Sequence, residues 1–292
     1  MSALTETPTK TKKNKLELKR RTAASWFIFG ALLLVVIVWL FPFWMAIANA
    51  LKTKEEFVAS GPLSFPKHPY LGHISKFWGD VNFSRKLLNS IIVSTLAPLI
   101  SIFLSFFSAY AIGIGKVRGK TAILGLFMIA FTIPQEAMVY PLYIAAKKLG
   151  LYDNLLSIVI IFGVLQSAFG TYLLSSVLSE FPEEILEAAK IDGASSFKIM
   201  RSIVFPLLMP TLLVLATFLF IWDWNEFLIP LVLLPSNDHQ TVALSMAYTT
   251  GQWTSDPTAR AAAALLGATP SIIFFFVFQR TLMRGVTMGS VK

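Results

Sequence analysis

Few residues in this 292-residue chain are of kinds that do chemistry, and their spacing narrows the choice quickly. Cysteine is absent, which removes thiol nucleophiles, disulfides and thiolate metal sites. His68, His73 and His239 are too scattered to read as a metal set. Asp80, Asp153 and Asp256 have no partner spacing for acid–base catalysis. Gly119-Lys120-Thr121 resembles the end of a phosphate-binding loop, but that motif needs a glycine where Ile114 stands and a strand where an apolar run lies. What remains is one dense charged stretch, Pro182-Glu-Glu-Ile-Leu-Glu187-Ala188-Ala189-Lys190-Ile-Asp192-Gly193, followed by Ala-Ser-Ser-Phe197-Lys198-Ile-Met-Arg201. Acids and bases packed this closely between two apolar runs suit hydrogen bonding to a partner surface, not bond-making.

A second set consists of polar groups in or near the apolar runs: Asn89, Ser90, Gln135, Glu136, Gln166, Asp223, Asn225 and Glu226, with Trp222 and Trp224 flanking Asp223. Burying such groups without partners is costly. They either hold helices together or line a path for a hydroxylated solute, which is gripped by hydrogen-bonding groups and aromatic faces. Gly163, Gly170 and Ser167 read as sites of close helix approach.

The elements that position these residues follow from composition. The chain is 55% hydrophobic and 14% charged, against about 25% charged in soluble domains. That identifies a polytopic membrane protein. A spanning helix needs about 20 apolar residues, and such runs predict an all-α fold of six transmembrane helices at about 22–51, 87–115, 121–146, 154–179, 202–222 and 261–279. The third contains Pro134, Glu136 and Pro141 and reads as a broken or re-entrant segment, tolerated where protein or water covers it. The stretch Lys52–Lys86 reads as an irregular outer cap, and Pro235–Asp256 as a second polar outer stretch.

The net charge of +9 comes mainly from the first 21 residues and the short loops, a pattern of membrane orientation and not of nucleic-acid binding. With the N-terminus inside, the inner segments hold sixteen Lys and Arg and the outer segments nine, seven of the sixteen lying in the N-terminal arm. Both termini are therefore expected in the cytoplasm, with residues 1–21 a basic tail facing membrane lipid, 22–285 the transmembrane domain, 180–201 a cytoplasmic loop and 286–292 a second tail. The first apolar run is too long, and lacks the small-residue site, for a cleaved signal.

Within the charged loop, Pro182 suits a first helical position, Glu183 and Glu184 favour the positive end of the helix dipole, and Gly193 is a helix stop. Ser195 or Ser196 suits the cap of a second short helix. The loop thus reads as helix, sharp turn, helix, with Leu186, Ala189 and Lys190 on one face. Ala188 and Ala189 leave one side nearly bare for close approach. From the residues alone, a hairpin lying on lipid headgroups is an equal reading.

The spacing Glu187-Ala188-Ala189, three residues, Gly193, nine residues, Ile203, one residue, Phe205-Pro206 resembles the Glu-Ala-Ala loop of ABC importer permeases, with Phe205 where that pattern has leucine. The stretches Lys52-Thr-Lys-Glu-Glu, Pro62-Leu-Ser-Phe-Pro66, Leu88-Asn89-Ser90 and Trp224-Asn225-Glu226-Phe227, and the ending from Gln279-Arg280 to Gly289-Ser290-Val291-Lys292, are similar to the MalG-like carbohydrate permeases. The resemblance covers nearly all of the chain after residue 22.

It implies a permease subunit that is not itself an enzyme and binds no cofactor, with ATP and magnesium held by two partner ATP-binding subunits. A second homologous permease, a solute-binding protein outside the membrane, and a carbohydrate complete the set of partners. It implies that the loop docks on an ATPase through Glu187, Ala188, Ala189, Asp192, Gly193, Ile203 and Pro206, with Gly289–Lys292 as a further contact. The particular solute is left open among disaccharides, oligosaccharides and glycerol phosphate esters. Two rival classes stay in view. An ion-coupled secondary transporter would want carboxylates within spans, for which Glu136 is the one candidate. An intramembrane enzyme would want paired catalytic groups.

Overall fold

A computed structural model describes residues 23–115, 117–247 and 256–288. The basic arm 1–21, Lys116 and the tail Gly289–Lys292 lie outside the described residues. The chain divides into two compact units, Met1–Met45 and Ala46–Lys292. The described part of the first belongs to helix α1 (Ala23–Ala50), which is apolar all round and contains Pro42. That pattern marks a helix surrounded by apolar material on every side.

The second unit is helical, with no strand among the described residues. Its spans are α4 (Phe83–Gly113), the pair α5 (Lys120–Thr132) and α6 (Gln135–Lys148), α7 (Leu155–Ser179), α10 (Phe205–Asn225) and α13 (Pro257–Met288). Between the last two the chain forms the short helices α11 (Leu228–Leu233) and α12 (Val242–Ala247). Each span is long and apolar enough to cross a membrane, the α5–α6 pair doing so as one segment bent by 88°. The bend sits at Ile133-Pro134, both extended. Proline disfavours the helical conformation for the residue before it and offers no N–H of its own, so α5 must end there.

The expected irregular cap is more ordered than its composition suggests. It contains α2 (Lys54–Ser60) and α3 (Gly72–Asp80). Thr53 caps α2 by accepting the N–H of Glu56 at 3.2 Å, and Glu55 and Glu56 occupy its first turn, so Thr-Lys-Glu-Glu is a helix start. Lys52 and Lys86, read from sequence as loop charges, are both fully buried. Lys52 Nζ donates to Gly61 O (2.9 Å) and Asn49 Oδ1 (3.1 Å), and Lys86 Nζ donates to the carbonyl and the side-chain oxygen of Asn237. Lys86 lies in the first turn of α4, immediately before the apolar run.

The centre of the unit is the α4–α7 pair, packed side by side in the same direction. Small residues let the backbones meet. A Cβ on Gly170 would lie 2.3 Å from Ser105 Oγ, and one on Gly163 would lie 2.7 Å from Ile100. Ser105 Oγ donates to Ser167 O at 3.0 Å. This is the small-residue packing of membrane helices, where close contact substitutes for a hydrophobic drive. In the Phe274–Phe276 run, Phe274 stacks on Phe220 at 3.7 Å, whereas Phe275 and Phe276 are exposed.

Candidate functional site

Two places gather the singled-out residues. The first is the charged loop. Helix α8 (Glu183–Ile191) starts one residue later than the sequence suggested, with Pro182 as its cap. It ends in a Schellman motif: Gly193 N–H donates to Lys190 O and Ala194 N–H to Ala189 O, each at 3.0 Å. Gly193 has φ +74°, and a Cβ there would meet nothing within 4 Å. The position therefore requires glycine for its backbone conformation and not for space. Ser195 caps α9 (Ser196–Ile199) by accepting the N–H of Lys198 at 3.3 Å.

Leu186 and Ala189 are buried in one core cluster with Phe106 and Ala109 of α4, Leu174 and Leu178 of α7, and Met200, Val204 and Leu208. This corrects one expectation. Ala189 faces the bundle, so the small residue on the open side is Ala188 alone. Glu187, Ala188 and Asp192 are exposed, together with Ile191 (86%) and Phe197 (61%).

Helix α9 is not a separate element. A π-helical turn, Met200–Val204, joins it to α10, giving one continuous helical span Ser196–Asn225. The reason is Pro206. It cannot donate to Ser202, and its ring crowds that carbonyl, so the helix accommodates it with a wider turn in which Phe205 N–H reaches Met200 O. Ile203 packs against the core and Pro206 is exposed.

The second place is a cleft of about 280 Å³ at the α5–α6 bend, lined by Phe131, Gln135, Glu136, Gln166, Trp222 and Glu226 among others. The proline break brings Gln135 and Glu136 to the first turn of α6. Phe131 stacks on Phe169 (5.0 Å) and meets Trp222 edge-on (6.1 Å). Gln166 of α7 is 3% exposed and Asp223 of α10 4%, and Gln166 Nε2 donates to Asp223 Oδ1. Gln166 Oε1 and Asp223 Oδ2 have no hydrogen-bond partner among the described residues. Glu226 caps the short helix α11, its Oε1 accepting from Leu228 N at 3.0 Å.

The remaining three polar candidates are elsewhere or turned away. Asn89 is buried near the start of α4, donating to Asp238 O (2.8 Å) and Gln240 O (2.9 Å), while Ser90 accepts from Val242 N (2.8 Å). With Lys86, they strap the segment Asn237–Val242 to α4. Asn225 is exposed, and its amide donates to Ile221 O at 2.7 Å. The strap escaped the sequence reading because its partners lie about 150 positions away; the turn-rich composition of 235–240 was its only trace.

Similarity to known proteins identifies the family. The model of the family described as binding-protein-dependent transport system inner membrane component matches residues 101–287. The probable ABC transporter permease y4oR of Sinorhizobium fredii is 32% identical over 268 residues, covering 91% of this chain and 95% of that protein. The probable starch degradation products transport system permease AmyC of Thermoanaerobacterium thermosulfurigenes is 30% identical over 258 residues, 88% and 93% of the two chains. The trehalose transport system permease SugB of Mycobacterium tuberculosis is 27% identical over 278 residues, 93% and 98%. Among solved structures, a bacterial ABC transporter involved in import of the acidic polysaccharide alginate superposes with a TM-score of 0.75 at 21% identity, covering 89% of this chain and 98% of that one, a likeness of fold. On the family match and these identities, the chain belongs to the binding-protein-dependent transport system inner membrane components, the non-catalytic permease subunits of ABC transporters.

Proposed function

We propose that this chain is the permease subunit of an ATP-driven, solute-binding-protein-dependent importer of a carbohydrate, a di- or oligosaccharide. In this reading it pairs with a second homologous permease, works with two ATP-binding subunits that hold the ATP and magnesium, and receives solute from a binding protein outside the membrane. Both termini and the α8 loop face the cytoplasm. Relatives named for starch degradation products, trehalose and diacetylchitobiose support the substrate class.

The observation that carries the reading is the build of the loop. Leu186 and Ala189 anchor α8 to the bundle, while Glu187, Ala188, Asp192, Ile191 and Phe197 stand outward beside one another in sequence. An acid, a bare alanine and exposed apolar side chains on a rigid hairpin suit a cleft on another protein. Gly193 sets the turn, and Ile203 and Pro206 set the join to α10. The 30-residue span Ser196–Asn225 is a rod about 45 Å long at 1.5 Å per residue. Its far end carries Trp222 and Asp223, beside the cleft. Displacement of α8 by closure of the ATPases thus reaches the cleft through one helix. Gln135, Glu136 and Gln166 line the solute path there, with Asp223 behind Gln166 and Asn225 at its edge; Asn89 holds the strap that braces α4.

The test is uptake into proteoliposomes containing the chain and its partner subunits. ATP-dependent accumulation of a labelled oligosaccharide that requires the binding protein is the expected result. Uptake driven by a proton or sodium gradient, with no need of ATP, overturns it.

A further inference from the structure

The π-helical turn Met200–Val204 is bridged from outside by one face of α4. Phe106 and Tyr110 are four residues apart and therefore share a face. Phe106 meets Phe205 edge-on, with ring centroids 5.5 Å apart and planes at 81°. Tyr110 donates its hydroxyl proton to Ser196 O at 3.1 Å. Ser196 is the first residue of α9 and Phe205 the first of α10, so the two contacts fall on either side of the turn. Their order along α4 is the reverse of their order along α9 and α10, as it is between antiparallel helices.

A π-turn is one of the few places where a helix bends sharply. Here it is closed by the bond from Phe205 N–H to Met200 O. Left unsupported, a hairpin pushed from below would bend at this turn, and the far end of the rod at Trp222 and Asp223 would stay where it was. Helix α4 removes that freedom. Phe106 is buried in the core cluster and Tyr110 packs against it, so neither side chain is free to swing. The contact above the turn needs a ring. Phe205 stands where the Glu-Ala-Ala loop pattern has leucine, and a leucine has no aromatic edge or face to offer Phe106. The contact below needs a hydroxyl, since Ser196 O is an acceptor that a phenylalanine at position 110 could not meet.

We propose that Phe106 and Tyr110 splint the π-turn, and that Tyr110 is a positioning residue through which displacement of the α8–α9 hairpin is carried to the cleft and not lost at the joint. The proposal rests on the reading above of α8 as the element moved by the ATP-binding subunits. It names what makes the rod from Ser196 to Asn225 stiff enough to serve that reading.

The test uses the chain co-purified with its partner subunits in lipid nanodiscs. The sequence has no cysteine, so Gln135→Cys places the chain's single thiol on the cleft. Its rate of maleimide labelling is read by mass, with and without ATP and vanadate. In this parent, trapped nucleotide is expected to change the rate. Adding Tyr110→Phe, which keeps the ring and removes one hydroxyl, is expected to shrink that change about threefold or more. Adding Tyr172→Phe, the same loss at an exposed tyrosine of α7, is expected to leave it as it was. Amide exchange needs no nucleotide. At residues 200–205 it is expected to rise about threefold or more in Tyr110→Phe, with residues 186–190 steady because Leu186 and Ala189 stay in the core. A nucleotide response within about twofold of the parent's, or unchanged exchange at 200–205, overturns the splint. No nucleotide response in the parent overturns the reading of α8 as ATP-driven, and exchange at the joint then still decides the splint.

Discussion

The backbone N–H of Ala194 donates to the carbonyl of Ala189 at 3.0 Å, closing the turn in which Gly193 holds a φ of +74°. A β-branched residue in that conformation costs about 1–2 kcal/mol, whereas asparagine tolerates it better. Gly193→Val is therefore expected to lower ATP-driven uptake strongly and Gly193→Asn only mildly. Rates of uptake per ATP hydrolysed, measured for both variants, check the order; equal effects would mean that the turn geometry is not what matters.

Two adjacent alanines on α8 should behave in opposite ways. Ala189 is buried in the core cluster that also holds Leu174 and Leu178, so Ala189→Leu overfills the site at a cost of about 1–3 kcal/mol and lowers the unfolding midpoint. Ala188 is exposed, so Ala188→Leu leaves stability alone and weakens capture of the ATP-binding subunits. Thermal unfolding and co-purification, run side by side, separate the two. Loss of co-purification in neither variant would count against α8 as the docking element.

The α4–α7 contact offers a packing cycle. Gly170→Ala drives a methyl into Ser105, and about 1–3 kcal/mol of destabilisation is expected. Adding Ser105→Gly relieves the clash, although it also removes the hydrogen bond to Ser167 O. A coupling of about 0.5–3 kcal/mol between the two substitutions, read from unfolding titrations in mixed micelles, is the expected signature.

Lys86→Met leaves two oxygens of Asn237 without their buried donor, a loss of about 1–3 kcal/mol. The consequence should be local. Amide exchange across residues 237–242 is expected to rise, while exchange in α7 stays as it was. The exposed Lys54→Met serves as the comparison and should change neither.

Asp256 caps α13. Burial opposes its charge, but the hydroxyl of Thr258 (2.6 Å), the N–H groups of Ala259 (3.3 Å) and Thr258 (3.0 Å), and the nearby His73 outweigh it and hold its carboxyl below the ordinary range. A depressed folded-state value means that the cap's contribution is complete above the unfolded value of about 3.9 and is lost as pH falls through the folded one. Protection of residues 257–260 against exchange is expected to be steady near neutrality and to fall in acid below about pH 4. Asp256→Asn keeps a capping oxygen but removes the charge, and should flatten that response. A variant with the wild-type acid response would show that another group is responsible.

How much of this was legible beforehand follows from what each feature depends on. The spans were readable because a chain this poor in charge has few uses for apolar runs of bilayer length besides crossing one, and the bend at Pro134 because proline acts on its own neighbours. Leu186 and Ala189 shared a face by their spacing, but nothing local said that the face turns inward; that depends on α4 and α7. The burial of Lys86 was hidden for the same reason, since its partner Asn237 is 151 positions away. Gln166 and Asp223 were each recognisable as costly polar groups near spans. Their pairing required the two helices to be brought together. The join between α9 and α10 was missed because the charge at Arg201 set the boundary between loop and span, and only the backbone shows that the helix runs on through it with a widened turn ahead of Pro206.

The π-helical turn at Met200–Val204 has one more implication. An inserted residue in a helix offsets everything upstream by about 100° around the axis, since an α-turn takes 3.6 residues. The azimuth at which Glu187 and Phe197 are displayed is therefore a phase, dialled by a single amino acid. Deleting one residue from 200–204 would rewind the helix and swing the hairpin roughly a quarter-turn away from its docking direction, with every side chain that makes the contact still present.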